Sequence, residues 1–141
     1  MEVEAFGVVD KQSAPAKYQS GSKDAAQSVT AEDLVFLSGC DGCNASTGTI
    51  DNTGIEQQIV AALDKVKAAL EASGSSMDKM LKTFMLLKLL DDYPKMRKAE
   101  VEYYEKHAPH LVEYPPVSTF MQLKELRNPG SLFEIDVTAV L

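Results

Sequence analysis

The spacing of apolar side chains predicts one long amphipathic helix near the middle of the chain. Apolar residues recur there every three or four positions, which places them on one side of a helix; they are Ile55, Ile59, Ala62, Leu63, Val66 and Leu70. The preceding segment, Thr53-Gly54-Ile55-Glu56, has the form of a capping box. Gly74 stands where a left-handed residue ends a helix. We therefore predict a helix that begins after Thr53, ends before Gly74 and packs its apolar stripe on a sheet.

Short apolar or alternating runs, bounded by turn residues, predict the strands of that sheet. These runs are 34–38, 80–88, 117–123 and 132–140. A second helix is predicted to begin near Pro94, which suits a first helical turn, and to end before Pro109. In the last strand one set of alternating residues is apolar and the other polar, namely Phe133, Ile135, Val137 and Ala139 against Glu134, Asp136 and Thr138. The apolar face should contact the helices, and the polar face should meet an assembly interface or a ligand cleft.

The order of these elements indicates an α+β domain. Strands are followed by a helix, a strand, a helix and two strands, which suits two helices packed on one face of a mixed sheet. Residues 1–33 are polar and predict one or two short edge strands joined by a loop. A chain of 141 residues is large enough for one domain with a hydrophobic core. We predict a single domain over residues 1–141.

The charge balance argues against a nucleic-acid partner. The chain has 14 Lys and Arg against 21 Asp and Glu, and its net charge of −7 repels phosphate backbones. The basic cluster 95–98 lies among acidic residues on a predicted helix, where a solvated surface is the simpler interpretation. No apolar run reaches the roughly 20 residues that span a bilayer, and the first residues lack the pattern of a secretion signal. We predict a cytoplasmic protein without nucleic-acid or membrane partners.

Two short motifs could carry redox or metal chemistry, Cys40-Asp41-Gly42-Cys43 and His107-Ala108-Pro109-His110. A thioredoxin-type C-x-x-C should open a helix, whose N-terminus lowers the thiol pKa, but a turn follows this one. The four side chains could in principle hold zinc, although the H-x-x-H spacing is tight and the two motifs are far apart in sequence. We predict no metal and no other cofactor, leave a redox role of Cys40 and Cys43 open as the less favoured alternative, and place His107 at a helix C-terminus.

Five segments of the chain together match the pattern of a known family. They are LVFLSG at 34–39, Thr47-Gly48, Leu63-Asp64-Lys65-Val66-Lys67, Leu81-Lys82-Thr83-Phe84 and the closing run 133–140. On these segments the chain resembles the Rid/YjgF family of reactive-intermediate deaminases, also labelled endoribonuclease L-PSP or translation inhibitor. The match is continuous from about Leu34 to Leu141 and weaker before it. The resemblance implies a mixed six-stranded sheet with two helices on one face, a chorismate-mutase-like fold, and a homotrimer with ligand clefts between its subunits.

The resemblance also implies which residues form the ligand site. In the family, the arginine of a Pro-x-Arg-Ser motif holds the substrate carboxylate, and a glutamate on the last strand positions a water that attacks an imine carbon. A tyrosine and the backbone after a Ser-Gly turn complete the pocket. In this chain the water-positioning glutamate corresponds to Glu134. The implied ligand-binding residues are Ser38, Gly39, Cys40, Val117, Ser118 and Thr119.

The motif that holds the carboxylate is altered in this chain. Pro115 and Ser118 match the ends of Pro-x-Arg-Ser, but Val117 occupies the position of the arginine. The segment 108–113 is about two residues longer than usual, so a shifted alignment stays open, although the nearest following arginine is Arg127. A valine cannot bind a carboxylate, and the loss of a buried bidentate contact lowers affinity strongly. This argues against the usual 2-imino acid chemistry of the family.

Two further positions differ from the family pattern. The usual glutamine after Ser-Gly is Cys40, which is predicted to be a small apolar group or a ligand contact at the cleft wall. When Gln27 is aligned with the family's Tyr-x-Gln, the tyrosine position is Ala25, and Tyr18 lies seven residues upstream. Tyr18 could replace the tyrosine only if the loop 17–25 folds back over the site.

Two functions stay open at this stage. In the first, the cleft binds a small neutral or weakly polar metabolite, such as a carbonyl or enamine, for sensing, scavenging or regulation of a partner. In the second, an imine or enamine is hydrolysed to a carbonyl and ammonia, and Glu134 orients the water; general acid–base catalysis contributes about 10²–10⁴-fold. Glu134 also has a purely structural interpretation, as a polar interface residue bonded to backbone amides.

Overall fold

The structure is a computed structural model that describes residues 19–20 and 26–141. Its strands are β1 (Gln19–Ser20), β2 (Ala26–Ala31), β3 (Leu34–Leu37), β4 (Cys40–Asp41), β5 (Met80–Leu87), β6 (Val117–Gln122) and β7 (Phe133–Val140). Its helices are α1 (Ile55–Ala72), α2 (Tyr93–His107) and the short α3 (His110–Glu113). The predicted order of strands and helices is confirmed. The expectations for Tyr18 and Ala25 lie outside the described residues.

The strands form one mixed sheet in the order β1-β2-β3-β7-β5-β6. β5 and β6 run parallel, whereas the other neighbours are antiparallel. β4 also pairs with β7, next to the segment that pairs with β3, so β3 and β4 share one position in the sheet. This confirms the predicted mixed six-stranded α+β architecture, with β3 and β7 at its centre.

The core lies between the helices and one face of the sheet. On β7 the buried residues are the predicted apolar set, and each is at most 1% exposed: Phe133, Ile135, Val137 and Ala139. The predicted stripe of α1 packs against them, and α2 contributes Met96, Ala99, Tyr103 and Tyr104. The long segment 108–113 contains α3, which is anchored by the buried Leu111. In the described part of the chain, no helix has both the length and the apolar character needed to cross a membrane.

The face of the sheet that points away from the helices is here called the open face. Glu134, Asp136 and Thr138 of β7 lie on it, as the alternation predicts. It also carries large apolar side chains that are well exposed: Phe36 at 42%, Val117 at 68% and Met121 at 49%. Exposed apolar side chains on an uncovered sheet face favour an interaction surface there.

Helix α1 begins one residue later than the predicted capping box requires. Its N-cap is Gly54, which has φ −87° and ψ 141°, and no side chain caps the helix. Thr53 is exposed and lies outside the helix, so the predicted capping box is wrong. The physical reason is that Gly54 has an extended backbone and its carbonyl accepts from the Gln58 amide at 3.2 Å, so the first helical residue is Ile55. A Cβ on Gly54 would clash with the Gln57 side-chain oxygen, which fits a glycine at this position.

The C-terminal end of α1 agrees with the prediction. Gly74 has φ +84°, a left-handed conformation that glycine adopts without strain. The Ser75 amide donates to the Leu70 carbonyl at 2.9 Å, and the Gly74 amide donates to the Glu71 carbonyl at 3.1 Å. These two bonds define a Schellman motif. The predicted left-handed cap at Gly74 is confirmed.

A buried glutamine on α1 connects the helix to two distant loops. Gln58 is 0% exposed. Its side-chain nitrogen donates to the carbonyls of Asn52 at 2.8 Å and Gly130 at 3.0 Å, and its side-chain oxygen accepts from the Leu132 amide at 2.8 Å. The loop before β7 is therefore held in place by α1, which determines where β7 begins.

Candidate functional site

The side chain of Glu134 lies close to the backbone at Gly39. β4 runs antiparallel to β7, with Asp41 opposite Glu134. A Cβ on Gly39 would clash with the carboxylate oxygen Oε1 of Glu134, so the carboxyl group occupies the space that a side chain at position 39 would need. The structure therefore brings the Ser38-Gly39 turn and Glu134 together, as the resemblance implies. A glycine at this turn lets the carboxylate approach the backbone closely.

The carboxyl groups of the open face have raised pKa values. The pKa of Glu134 is raised mainly by partial burial, and further by the nearby carboxylates of Asp41 and Asp136, whereas Arg127 opposes the shift. Burial also raises the pKa of Asp136, with Lys82 opposing. Burial and like charges both disfavour the ionised form of a carboxyl group. A carboxyl pKa moved toward neutrality is suited to general acid–base catalysis.

These raised pKa values predict a pH dependence of stability. Between the ordinary carboxyl pKa and the raised value, the folded protein binds more protons than the unfolded chain, so stability falls as the pH rises through that window. We expect Glu134→Gln to raise the urea midpoint relative to wild type at pH 7 and to lose that advantage in acid. Glu105→Gln, at an exposed position on α2, is the control. Identical pH profiles for Glu134→Gln and wild type would contradict the prediction.

Cys40 packs toward the helices, and its thiol is partly buried. It lies opposite Ile135 on β7 and contacts the hydrophobic core. Its Sγ donates to the Ser38 carbonyl at 3.5 Å. Burial raises the pKa of the Cys40 thiol to about 11, only partly offset by Lys65, so the neutral thiol dominates at physiological pH. Cys40 and Cys43 are both free thiols, and the described residues contain no group of three or more potential metal ligands.

The strand register places Val117 and Glu134 at different ends of the open face. Val117 lies beside Lys82 of β5, and Lys82 lies beside Thr138 of β7. Thr138 is four residues from Glu134 along β7. With about 3.3 Å per residue and 4.8 Å between strands, the Cα atoms of Val117 and Glu134 are about 16 Å apart. In one subunit the two side chains therefore lie on separate parts of the open face.

Ser118 lies on the side of β6 that faces the helices. Neighbouring residues in a strand point to opposite faces, so Val117 and Thr119 share the open face and Ser118 does not. The hydroxyl of the buried Thr83 donates to the Ser118 hydroxyl at 3.1 Å. The structure thus separates Ser118 from the other implied ligand residues, and its role in the same cleft would require a different arrangement of the strand.

Asp41 is a residue near Glu134 that the sequence did not single out for the ligand site. Its carboxylate accepts from Lys65 at 3.3 Å, from the Cys43 amide at 3.0 Å and from the Asn128 side chain at 2.6 Å. These bonds tie the turn after β4 to α1 and to the loop before β7. Asn128 is 87 positions away along the chain, so no local sequence signal predicts the contact.

Comparison with known proteins agrees with this fold. The model of the family described as Endoribonuclease L-PSP matches residues 15–141. The RutC family protein UK114 of Drosophila melanogaster is 31% identical over 110 residues, covering 75% of this chain and 80% of the relative. The human 2-iminobutanoate/2-iminopropanoate deaminase is 25% identical over 114 residues, covering 81% and 77%.

A solved structure shows the same fold. The YjgF gene product of E. coli superposes with a TM-score of 0.76, covering 96% of this chain and 98% of that one, at 20% identity. At that identity the likeness concerns the fold alone. Since the family model covers nearly the whole chain, this chain belongs to the Endoribonuclease L-PSP family, the Rid/YjgF family that its sequence resembles.

Proposed function

We propose that the protein is a homotrimer that binds a small metabolite in clefts between its subunits. The observation that carries this proposal is the separation of the two ends of the open face. Because Val117 and Glu134 are about 16 Å apart in one subunit, a small ligand can contact both only if a second copy places its Val117 beside the Glu134 of the first. The ligand site is incomplete without that partner copy.

The composition of the open face also supports an assembly. Phe36, Val117 and Met121 expose between 42% and 68% of their surface there. Burial of such groups contributes about 25 cal/mol per Å² of apolar area. A contact between one end of the open face and the opposite end in the next subunit is heterologous, because the two contacting surfaces differ. Heterologous contacts form a closed ring when the rotation from each subunit to the next returns to the first subunit.

The side chains at the Val117 end favour a ligand without a strongly bound carboxylate. Val117 offers no hydrogen-bond donor, and Thr119 offers a single hydroxyl. A small neutral or weakly polar carbonyl or enamine fits these groups better than a dicarboxylate or a 2-oxo acid held by two parallel bonds. Sensing, scavenging or regulation of a partner protein would follow from such binding.

Two measurements test the proposal. Light scattering at several concentrations should give three times the 15.4 kDa subunit mass. A thermal-shift screen should show stabilisation by small neutral carbonyl compounds that exceeds stabilisation by 2-oxo acids. A stable monomer would contradict the shared cleft, and strong stabilisation by 2-oxo acids alone would contradict the ligand class.

A second candidate function is hydrolysis of an imine or enamine, and the position of Glu134 favours it. The carboxyl group is held against Gly39 and has a raised pKa, as a group that exchanges protons with water requires. The Glu134 carboxylate would take a proton from water while the water oxygen bonds to the imine carbon, and it would pass that proton to the nitrogen. The carbon–nitrogen bond of the resulting carbinolamine would then break as the hydroxyl proton is transferred to the nitrogen, so that the carbonyl compound and ammonia leave. Ammonia release from freshly generated imines measures this activity. Turnover that survives Glu134→Ala would exclude the mechanism.

A further inference from the structure

A small cavity with several polar side chains in its wall lies between α2 and β6, on the side of the sheet opposite the proposed cleft. Its volume is about 170 Å³. The polar side chains of Thr83, Arg97, Glu100 and Ser118 line it together with the rings of Tyr93 and Phe120 and with two prolines of the loop before β6. The volume suits a molecule of a few non-hydrogen atoms.

An ion pair at the wall of the cavity offers both donors and acceptors. Glu100 is only 2% exposed. Its carboxylate accepts from Nη1 of Arg97 and, at 2.9 Å, from the hydroxyl of Tyr104. A carboxylate has about four acceptor positions and a guanidinium five N–H groups, so both retain free capacity. Within the part of the chain that the structure describes, Arg97 has no other hydrogen-bond partner.

The hydroxyl groups of Thr83 and Ser118, on the sheet side of the cavity, supply a further hydrogen-bond donor. Thr83 is 0% exposed and donates to the Ser118 oxygen. Because Ser118 accepts this bond, its own O–H is available to donate to another acceptor. The cavity therefore presents donors from Arg97 and Ser118 and an acceptor from Glu100.

We propose that this cavity binds a small planar amide, which is a different ligand class from that of the open-face cleft. The amide oxygen would accept from Arg97 and Ser118, and the amide nitrogen would donate to Glu100. A carboxylate of the same shape has no N–H to donate, and its charge is repelled by Glu100. The aromatic and proline rings supply flat apolar walls against which a planar group packs.

Acetamide and acetate provide an isosteric pair for the test. Both are titrated into the full-length protein, and the backbone resonances of Ser118 and Phe120 are followed by NMR. We expect acetamide to shift these resonances saturably, with a dissociation constant of about 1–10 mM because the ligand has so few atoms. Ser118→Ala should weaken acetamide binding about three- to ten-fold. Ser46→Ala, at an exposed loop position away from the cavity, should leave it unchanged.

A second variant tests the discrimination itself. Glu100→Gln keeps an acceptor for Tyr104 and removes the negative charge, so acetate should begin to bind. If acetate matches acetamide in the wild type, the proposed ligand class is wrong. If neither compound shifts the cavity resonances, or if Ser118→Ala binds acetamide as wild type does, the site is wrong. These results are independent of the oligomeric state and of ligands in the open-face cleft.

Discussion

Replacing Val117 by arginine is expected to give the protein a measurable affinity for small carboxylates such as 2-oxo acids. Val117 is 68% exposed on the open face, so the longer side chain can be accommodated without disturbing the core. A guanidinium can hold a carboxylate by two parallel charge-assisted bonds. Relative to wild type, we expect a gain of about ten- to a hundred-fold in affinity, measured by calorimetric titration.

A matched control separates this gain from a simple effect of charge. Val60→Arg adds the same charge at a 42% exposed position on α1, outside the open face, and should not change carboxylate binding. If both variants bind 2-oxo acids equally, the gain is not specific to the cleft. If Val117→Arg binds no better than wild type while it still assembles, the alignment of Val117 with the family arginine is wrong.

The substitution Gln58→Leu is expected to produce the largest loss of stability. It removes the three hydrogen bonds that join α1 to Asn52, Gly130 and Leu132. The two carbonyls and the amide must then bind water or remain without a hydrogen-bond partner. Each buried backbone group left without a partner costs about 1–3 kcal/mol of stability. Because water partly solvates the loops, we expect the free energy of unfolding to fall by about 2–4 kcal/mol in total. Urea unfolding should show a lower midpoint with an unchanged slope.

Gln57→Leu is the natural control for this experiment. Gln57 is the preceding residue, is exposed, and makes none of the bonds of Gln58. Its substitution should change stability by less than about 0.5 kcal/mol, as is usual at surface positions. Equal losses from both variants would show that helix propensity, and not the buried hydrogen bonds, determines the effect.

The regular elements could be predicted because their signals are local. The helical spacing of apolar residues in α1, the glycine at 74 and the alternation along β7 each determine structure within a few residues. The start of α1 could not be read in the same way. The Thr53 pattern is compatible with a capping box, but the backbone at Gly54 is extended, so Gly54 is the N-cap and the helix begins at Ile55.

The candidate site could be predicted only in part, because it depends on strand order and register. The proximity of Gly39 and Glu134 follows from the pairing of β4 with β7. The separation of Val117 from Glu134 follows from the parallel pairing of β5 with β6, which no short motif encodes. The orientation of Ser118 was available from the sequence, because adjacent residues of a strand cannot both face the same side.

The separation of about 16 Å across the open face also links ligand occupancy to the amount of protein present. In the proposed trimer, the ligand contacts two chains and binds only the assembled form, so it raises the apparent stability of that form by mass action. The same linkage operates in reverse. On dilution below the concentration at which subunits dissociate, the measured affinity for ligand should fall although no residue of the site has changed. The protein would then respond jointly to the level of its metabolite and to its own abundance.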